Sequence, residues 1–353
     1  MQEVVVSSRR ETRTFKDNPT RIEFINGEEL GEKGVMNPGD IRMLLNESTG
    51  IMTQQTSAIS GNSSIRIQGL DGRYTQILKD GFPVFSGAAS GLGLLQTPPL
   101  DLKQVEIIKG SSSTLYGGGA IAGLVNLISK TPEKERDFSI HLNGTTGKGI
   151  DVNSFFSQKF NKVGTTVFAS YNRNWAYDPS DVGFTAIPKF DRFVFNPKLF
   201  LYLSENTDFN FGINSMIENR LGGDMEYVKD KGNEEHSYFE RNKTQRHSSQ
   251  LTFEHRFDKQ NRLNVKNSIT YFSRKIEIPD FKFDGDQLSS FSEVSYIHTL
   301  EKTECSAGAY VWTDKFTEEK LTHFDFRYYN MTTLDVFEQN NTKIIEWLNL
   351  VSH

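Results

Sequence analysis

The sequence predicts an α+β domain followed by antiparallel transmembrane β-barrel strands. Three observations carry this expectation. Between Ile65 and Pro132, short β-branched runs alternate with turn chemistry at Asp71-Gly72, Asp80-Gly81 and Gly117-Gly118-Gly119. Beyond Pro132 polarity alternates with period two, as in Leu251–Phe257, Phe209–Ile213 and the series Leu263, Val265, Ile269, Tyr271. The connectors between these runs alternate between tight and long, which outer-membrane barrels show and soluble sandwiches have less reason to show.

Composition sets the outer limits. The 353 residues allow one large domain or two ordinary ones. Hydrophobic residues make up 36 %, below the soluble average, although aromatics reach 12 %. A mean hydropathy of −0.51 and the lack of a long apolar run exclude a transmembrane helix but not a membrane barrel. The net charge of −5 argues against nucleic acid as a partner. A single cysteine, Cys305, forbids an intrachain disulfide. Met1-Gln2-Glu3 runs straight into Val4-Val5-Val6 without the basic start and apolar stretch of a signal peptide. Taken literally this start means a cytoplasmic protein; the preferred reading is a mature or truncated version of an exported one.

In chain order, Glu3-Val4-Val5-Val6-Ser7 suits an extended backbone, either a strand edge that a partner can extend or an ordinary first strand. Residues 20–25 alternate as a strand. Asn37-Pro38-Gly39-Asp40 offers helix-start chemistry, with Ile41, Leu44 and Leu45 on one face and Gly50 as a stop. Strands are expected at Ile65–Ile67, Gln76–Leu78, Val105–Ile108 and Leu124–Ile128. The Phe82–Gln96 stretch is apolar and glycine-rich. Later, tight breaks fall at Asn161-Lys162, Ser204–Asn206, Asp258–Asn261 and Glu301–Thr303. Long loops are expected at Asn174–Lys189, Leu221–Asn242, Glu277–Asp286 and Thr317–Met331. About ten strands result, with an eleventh beginning at Trp347-Leu348-Asn349-Leu350.

Two ordered motifs give a resemblance. IRIQG at Ile65–Gly69 with LKDGFP at Leu78–Pro83, and Val105–Lys130 with its VEIIKG and LYGGGAIAGLVNLISK, resemble the plug signatures of TonB-dependent outer-membrane receptors of the siderophore-receptor type. The resemblance implies a TonB-box-like segment at 1–8, a plug at 9–132 and the N-terminal part of a β-barrel at 133–353, about half of the family's twenty-two strands. It also implies roles. Glu3, Val4, Val5, Val6 and Ser7 would contact TonB. Arg66, Glu106 and Lys109 would contact the barrel wall, while Gln68 stands where the family carries arginine. Phe82, Phe85, Leu92 and Leu94 at the plug apex, and Trp175, Tyr177 and Tyr227 in the loops, would meet substrate. Packing against the wall and loop anchoring are the structural alternatives for these seven.

Geometry adds a constraint. Strands about 4.8 Å apart give a ten-strand barrel a radius of roughly 10 Å. A plug of this size is equivalent to a sphere of about 18 Å. It does not fit inside such a ring, so either further strands complete the wall or the strands curl round the plug as an open sheet.

Rival chemistries lack their motifs. Gly110-Ser-Ser-Ser-Thr-Leu is not a phosphate-binding loop, Gly117–Gly123 lacks dinucleotide spacing, and the seven histidines form no HxxxH pair. No GxSxG elbow occurs. The expectation is a non-enzymatic receptor in the cell outer membrane, without cofactor or bound metal of its own, that uses TonB to import a ferric siderophore. Outer-membrane lipid surrounds the wall in this reading. Cobalamin, haem or a glycan as cargo, or a truncated receptor acting only as a binding module, are the alternatives.

Overall fold

The computed structural model describes residues 22–352 apart from 37, 56–58, 60–62, 84–95, 112–115, 117, 320–326 and 346–347. Nine strands and helices of the N-terminal domain come first: β1 (Ile22–Ile25), α1 (Gly27–Met36), α2 (Arg42–Asn46), β2 (Ile51–Gln55), β3 (Ser63–Ile67), β4 (Thr75–Lys79), β5 (Phe82–Pro83), β6 (Leu102–Lys109) and β7 (Gly123–Ser129). The main sheet runs β1-β6-β7-β4-β5, and β2 and β3 make a separate hairpin. All five sequence-predicted strands are present, the one read over residues 20–25 being β1.

Both faces of the main sheet are covered, which explains the near-continuous apolar runs of β6 and β7. Val105, Ile107, Val125 and Leu127 pack with Leu30, Ile41, Leu44, Leu45, Ile65 and Ile67 on one side. Ile108 and Leu124 pack with Ile22 and Leu78 on the other. Gly123 is required where β7 begins. Its φ is +153°, and a Cβ there would lie 2.3 Å from the Ile108 carbonyl oxygen.

Two helix details correct the sequence reading. The helix expected from Asn37 starts only at Arg42, because Pro38 and Gly39 form a turn and the Asp40 carboxylate accepts the Arg42 amide at 3.0 Å. Asn37 itself lies outside the described residues. Helix α1 was not expected, since it buries only Leu30 and Gly34 and so shows little periodicity. Its start is nevertheless encoded: the Asn26 side chain accepts the Glu29 amide at 2.9 Å, and Glu28 and Glu29 occupy the first turn.

Eleven antiparallel strands follow: β8 (Asp137–Thr145), β9 (Gly149–Phe160), β10 (Val163–Asn174), β11 (Lys189–Ser204), β12 (Thr207–Gly223), β13 (Phe239–Arg256), β14 (Asn261–Ile278), β15 (Phe281–Thr299), β16 (Thr303–Glu318), β17 (Tyr328–Ile345) and β18 (Leu348–Ser352). Each pairs with its sequence neighbours in one sheet whose edges are β8 and β18. The sheet is open, and it curls against the N-terminal domain.

Burial along the wall is inverted relative to a soluble sheet. Inward positions are polar and buried: Asn153, Asn172, Arg192, Glu218, Asn242, Arg246, Gln250, Glu293 and Asn341 among them. Outward positions carry exposed Phe193, Ile217, Ile269, Leu288, Val294, Leu334 and Val336, the last two 72 % and 77 % exposed. An apolar outside and a polar inside are what a lipid-facing barrel wall requires. On β14 and β15, Tyr271 pairs with Leu288 and Tyr296 with Leu263. The eight residues between these two levels span about 21 Å along the barrel axis, close to the height of an outer-membrane apolar band.

All four expected tight turns lie at one end of the wall. At the other end the Asn174–Lys189 loop is present, but three boundaries change, the loop expected over Thr317–Met331 narrowing to the residues between Glu318 and Tyr328. The loop expected over Leu221–Asn242 narrows to residues between Gly223 and Phe239. The loop expected over Glu277–Asp286 is a hairpin, with only Pro279 and Asp280 between β14 and β15. Its polarity misled the reading: the strands continue past the apolar band, where Lys275 pairs with Asp284 at 2.5 Å and Lys282 with Glu277 at 4.0 Å.

Candidate functional site

The N-terminal domain meets the inner wall through a few specific polar contacts. The turn after β4 is the densest. Lys79 and Asp101 form an ion pair at 2.9 Å with both side chains 6 % exposed, and Asp101 also accepts the Asn196 amide at 2.9 Å. The neighbouring Asp80 carboxylate pairs with Lys198 of β11 while accepting the Ser129 amide at 2.8 Å and its hydroxyl at 2.9 Å. Burial pushes the Asp80 carboxyl up, but the Lys198 and Lys79 charges outweigh it and hold the group below the usual carboxylate range. Gln250 of β13 donates to the Lys79 carbonyl at 3.1 Å.

A second group lies nearer the long-loop end. Arg192 donates to the Gly39 carbonyl at 2.8 Å, and Gln96 donates to Glu218 at 3.1 Å. Glu218 is held in turn by Arg220 at 3.1 Å and Arg192 at 3.6 Å. Apolar contacts complete the junction: Leu100 packs on Phe155, Phe168, Val194 and Met216 of the inner wall.

These residues replace most of the contacts expected from sequence. Lys109 pairs with Glu23 and donates to the Thr49 carbonyl, all within its own domain. Glu106 is fully buried and accepts from Gln104 at 2.8 Å and Asn126 at 3.4 Å, again in that domain. Arg66 lies on β3 opposite Met52, and no ion pair joins it to the wall among the described residues. The missed residues carried one signal. Arg192, Lys198, Glu218, Arg220 and Arg246 are charges at inward positions of the period-two pattern, where they must meet something other than lipid.

The long-loop end forms a crown. The amide of Trp175 donates to the Lys148 carbonyl at 3.0 Å, and the Arg173 guanidinium lies 5.0 Å from the Trp175 ring, which is 42 % exposed. Tyr177 bridges to Ile187 within its loop, with the Lys148 ammonium 5.6 Å from its ring. Tyr227 sits on α3 (Met225–Val228) and stacks on Phe239, centroids 4.5 Å apart and rings 5° from parallel. The Met225 amide donates to the Gly183 carbonyl at 2.9 Å, tying these two loops together. Among the described residues no ring contact joins Tyr227 to Trp175 or Tyr177.

Phe82 is not at an apex. It is 1 % exposed and packs edge-on to Phe291 of the wall, centroids 6.4 Å apart. Phe85, Leu92 and Leu94, like Glu3, Val4, Val5, Val6 and Ser7, lie outside the described residues.

A cavity of about 610 Å³ opens between β14 and β17 at the long-loop end. Phe283, Phe316 and Tyr329 form a ladder of near-parallel rings at centroid distances of 6.4 and 5.5 Å. Gly285 makes room for it, since a Cβ there would come within 2.7 Å of Phe283 and 2.8 Å of Phe316. Arg274 and Arg327 supply positive charge, with Arg327 5.1 Å from the Phe283 ring and bonded to Glu318 at 2.8 and 3.2 Å. None of the substrate residues expected from sequence lines it. Aromatic residues at inward positions of an otherwise polar lumen were the available signal. Among the described residues no group of histidine, cysteine and carboxylate side chains could hold a metal ion.

Comparisons with known proteins agree with this architecture. Residues 14–124 match the model of the TonB-dependent Receptor Plug Domain. The Vitamin B12 transporter BtuB of Vibrio vulnificus (strain CMCP6) is 28 % identical over 149 residues, 42 % of this chain and 23 % of that protein. The alcaligin outer membrane receptor FauA of Bordetella pertussis aligns with a TM-score of 0.77 at 15 % identity, over 99 % of this chain and 56 % of that one. The ferric-catecholate import receptor Fiu of E. coli K12 aligns with a TM-score of 0.73 at 12 % identity, over 98 % of this chain and 60 % of that one. At such identities the structural likeness shows the fold, and this chain spans little more than half the length of those structures. The matched plug, the inverted wall and the packing of one against the other lead to one conclusion: residues 14–124 carry the TonB-dependent receptor plug domain, and the eleven wall strands that follow share the fold of the wall in those outer-membrane receptors.

Proposed function

We propose that this receptor imports a ferric siderophore, energised through TonB at Glu3–Ser7. The aromatic and cationic cavity between β14 and β17 carries the reading. Its volume of about 610 Å³ falls in the ordinary range for small-molecule sites. Stacked rings favour flat aromatic groups, and the Arg274 guanidinium favours an anion, a combination met by a negatively charged aromatic iron chelate. The iron is cargo held by the chelator. Trp175, Tyr177 and Tyr227 would meet the ligand on its way in. In this mechanism ligand binding at the crown weakens the plug–wall contacts, and force on the N-terminal segment moves the plug.

Cobalamin is the second reading, favoured by the sequence relationship to BtuB. Growth of a bacterium that depends on this receptor separates the two. With a ferric catecholate as sole iron source, growth is expected for the intact protein and lost on deletion of residues 3–7. Equal growth without those residues contradicts TonB coupling. Growth rescue only when cobalamin is limiting transfers the assignment to cobalamin.

A further inference from the structure

We propose that Asp314 and Glu318 are positioning residues for ligand binding, which hold the two ends of the ring ladder in the β14–β17 cavity. This rests on the reading of that cavity as the ligand site, and it assigns the side chains that fix the cavity's shape. Asp314, Phe316 and Glu318 occupy three successive inward positions of β16. The middle one is the central ring of the ladder, stacked on Phe283 on one side and Tyr329 on the other. Each flanking carboxylate reaches the far side of the stack. Asp314 accepts the Tyr329 hydroxyl at 3.4 Å. Glu318 accepts Nε and Nη2 of Arg327 at 2.8 and 3.2 Å, and that guanidinium lies 5.1 Å from the Phe283 ring.

Cross-strand register brings the anchors together. Gln287 of β15 and Tyr329 of β17 both stand opposite Phe316. Ser289 stands opposite Asp314. The Asp314 carboxylate accepts the Gln287 amide at 2.8 Å and the Ser289 hydroxyl at 2.9 Å, besides the Tyr329 hydroxyl. Donors from the strands on either side therefore converge on one group next to the central ring. These are the same three strands that carry Phe283, Phe316 and Tyr329.

Holding the strands together does not account for Asp314. The backbone ladder already joins β15, β16 and β17 on both sides of it. The residue is 5 % exposed, and no cation pairs with it among the described residues. A carboxylate buried among neutral donors costs more than an amide in the same place. What the carboxylate adds is direction. An ionised carboxylate only accepts, so each neighbour must aim a proton at it, and this fixes the Tyr329 hydroxyl and the ring that carries it. Rings held in place beforehand lose less freedom when a flat ligand stacks on them. Glu318 does the same at the other end by holding Arg327 against Phe283.

The test is a double-mutant cycle on the full chain in detergent, with the ferric complex of 2,3-dihydroxybenzoate as the probe. Affinity is read by equilibrium titration and stability by urea unfolding. Asp314→Asn and Tyr329→Phe are each expected to weaken binding about fivefold, and the double variant also by about fivefold, because both remove the same restraint. Asp314→Asn should be at least as stable as the parent. Glu318→Gln should weaken binding by a similar factor, and its effect should multiply with that of Asp314→Asn because it acts at the other end. A loss of about 25-fold in the Asp314→Asn, Tyr329→Phe double variant overturns the proposal, since the two side chains then act independently. Lower stability of Asp314→Asn with unchanged affinity in the folded fraction also overturns it and leaves the ligand-site reading intact. A parent protein that does not bind the complex overturns that reading and the positioning role with it.

Discussion

Asp80 joins two parts of the molecule through one carboxylate. Its backbone is left-handed, with φ +54°, so Asp80→Asn keeps a tolerated conformation while removing the charge. The expected cost is about 2 kcal/mol, below the roughly 3–5 kcal/mol for breaking a wholly buried pair. Urea unfolding of the plug in detergent-solubilised protein measures it, and a variant as stable as the parent contradicts the latch. Because the carboxyl is held low, its contribution is present above about pH 3.9 and is lost as pH falls through the depressed value. At the crown, Asp224 accepts the Glu226 amide at 2.8 Å and lies 2.8 Å from His236 Nδ1. The hydrogen bond and charge of Asp224 raise the His236 pKa, with Glu226 and Glu235 adding to it, and His236 lowers that of Asp224. The histidine contribution is complete below about pH 6.5 and is lost as pH rises through the raised value, whereas the aspartate contribution is lost in acid. Amide protection, relative to the intrinsic exchange rate at each pH, should therefore be highest in residues 225–238 in the window between the two. His236→Gln should abolish the alkaline loss of protection, and an unchanged profile would remove the clasp from the account.

Elements were legible where their burial repeats. Strands β3, β4, β6 and β7 and the tight wall turns could be read because each buries a regular set of apolar side chains or breaks it with turn residues. Helix α1 could not, since two buried residues in ten leave no stripe. The β14–β15 hairpin was read as a loop because charged pairs, and not apolar faces, hold its upper half. Phe82 belongs to this scale as well. Its ring sits on β5 between plug and wall, and truncation leaves a cavity there. Phe82→Ala should cost about 3–4 kcal/mol in unfolding while leaving the ligand affinity of the folded fraction unchanged. A fall in affinity at unchanged stability would return Phe82 to the substrate surface.

Over the whole molecule, fold class was written in period and connector length, and the two plug motifs set the order of domains. The plug–wall contacts were not readable, because Lys79, Asp80 and Asp101 find Asn196, Lys198 and Gln250, about a hundred residues or more further on, only once the wall strands β8 to β13 lie side by side. The cavity was hidden for the same reason: Phe283, Phe316 and Tyr329 come from three strands. The central claim is that this wall is turned outside-in, apolar to lipid and polar to the plug. Site-directed nitroxide labels on a Cys305→Ser background, placed singly along β13 and β14 in a lipid bilayer, test it most directly. Labels at Leu251, Ile269 and Tyr271 are expected to be open to oxygen and closed to a water-soluble nickel chelate, with the adjacent residues reversed. Loss of that alternation, or nickel access at all three outward positions, would contradict it.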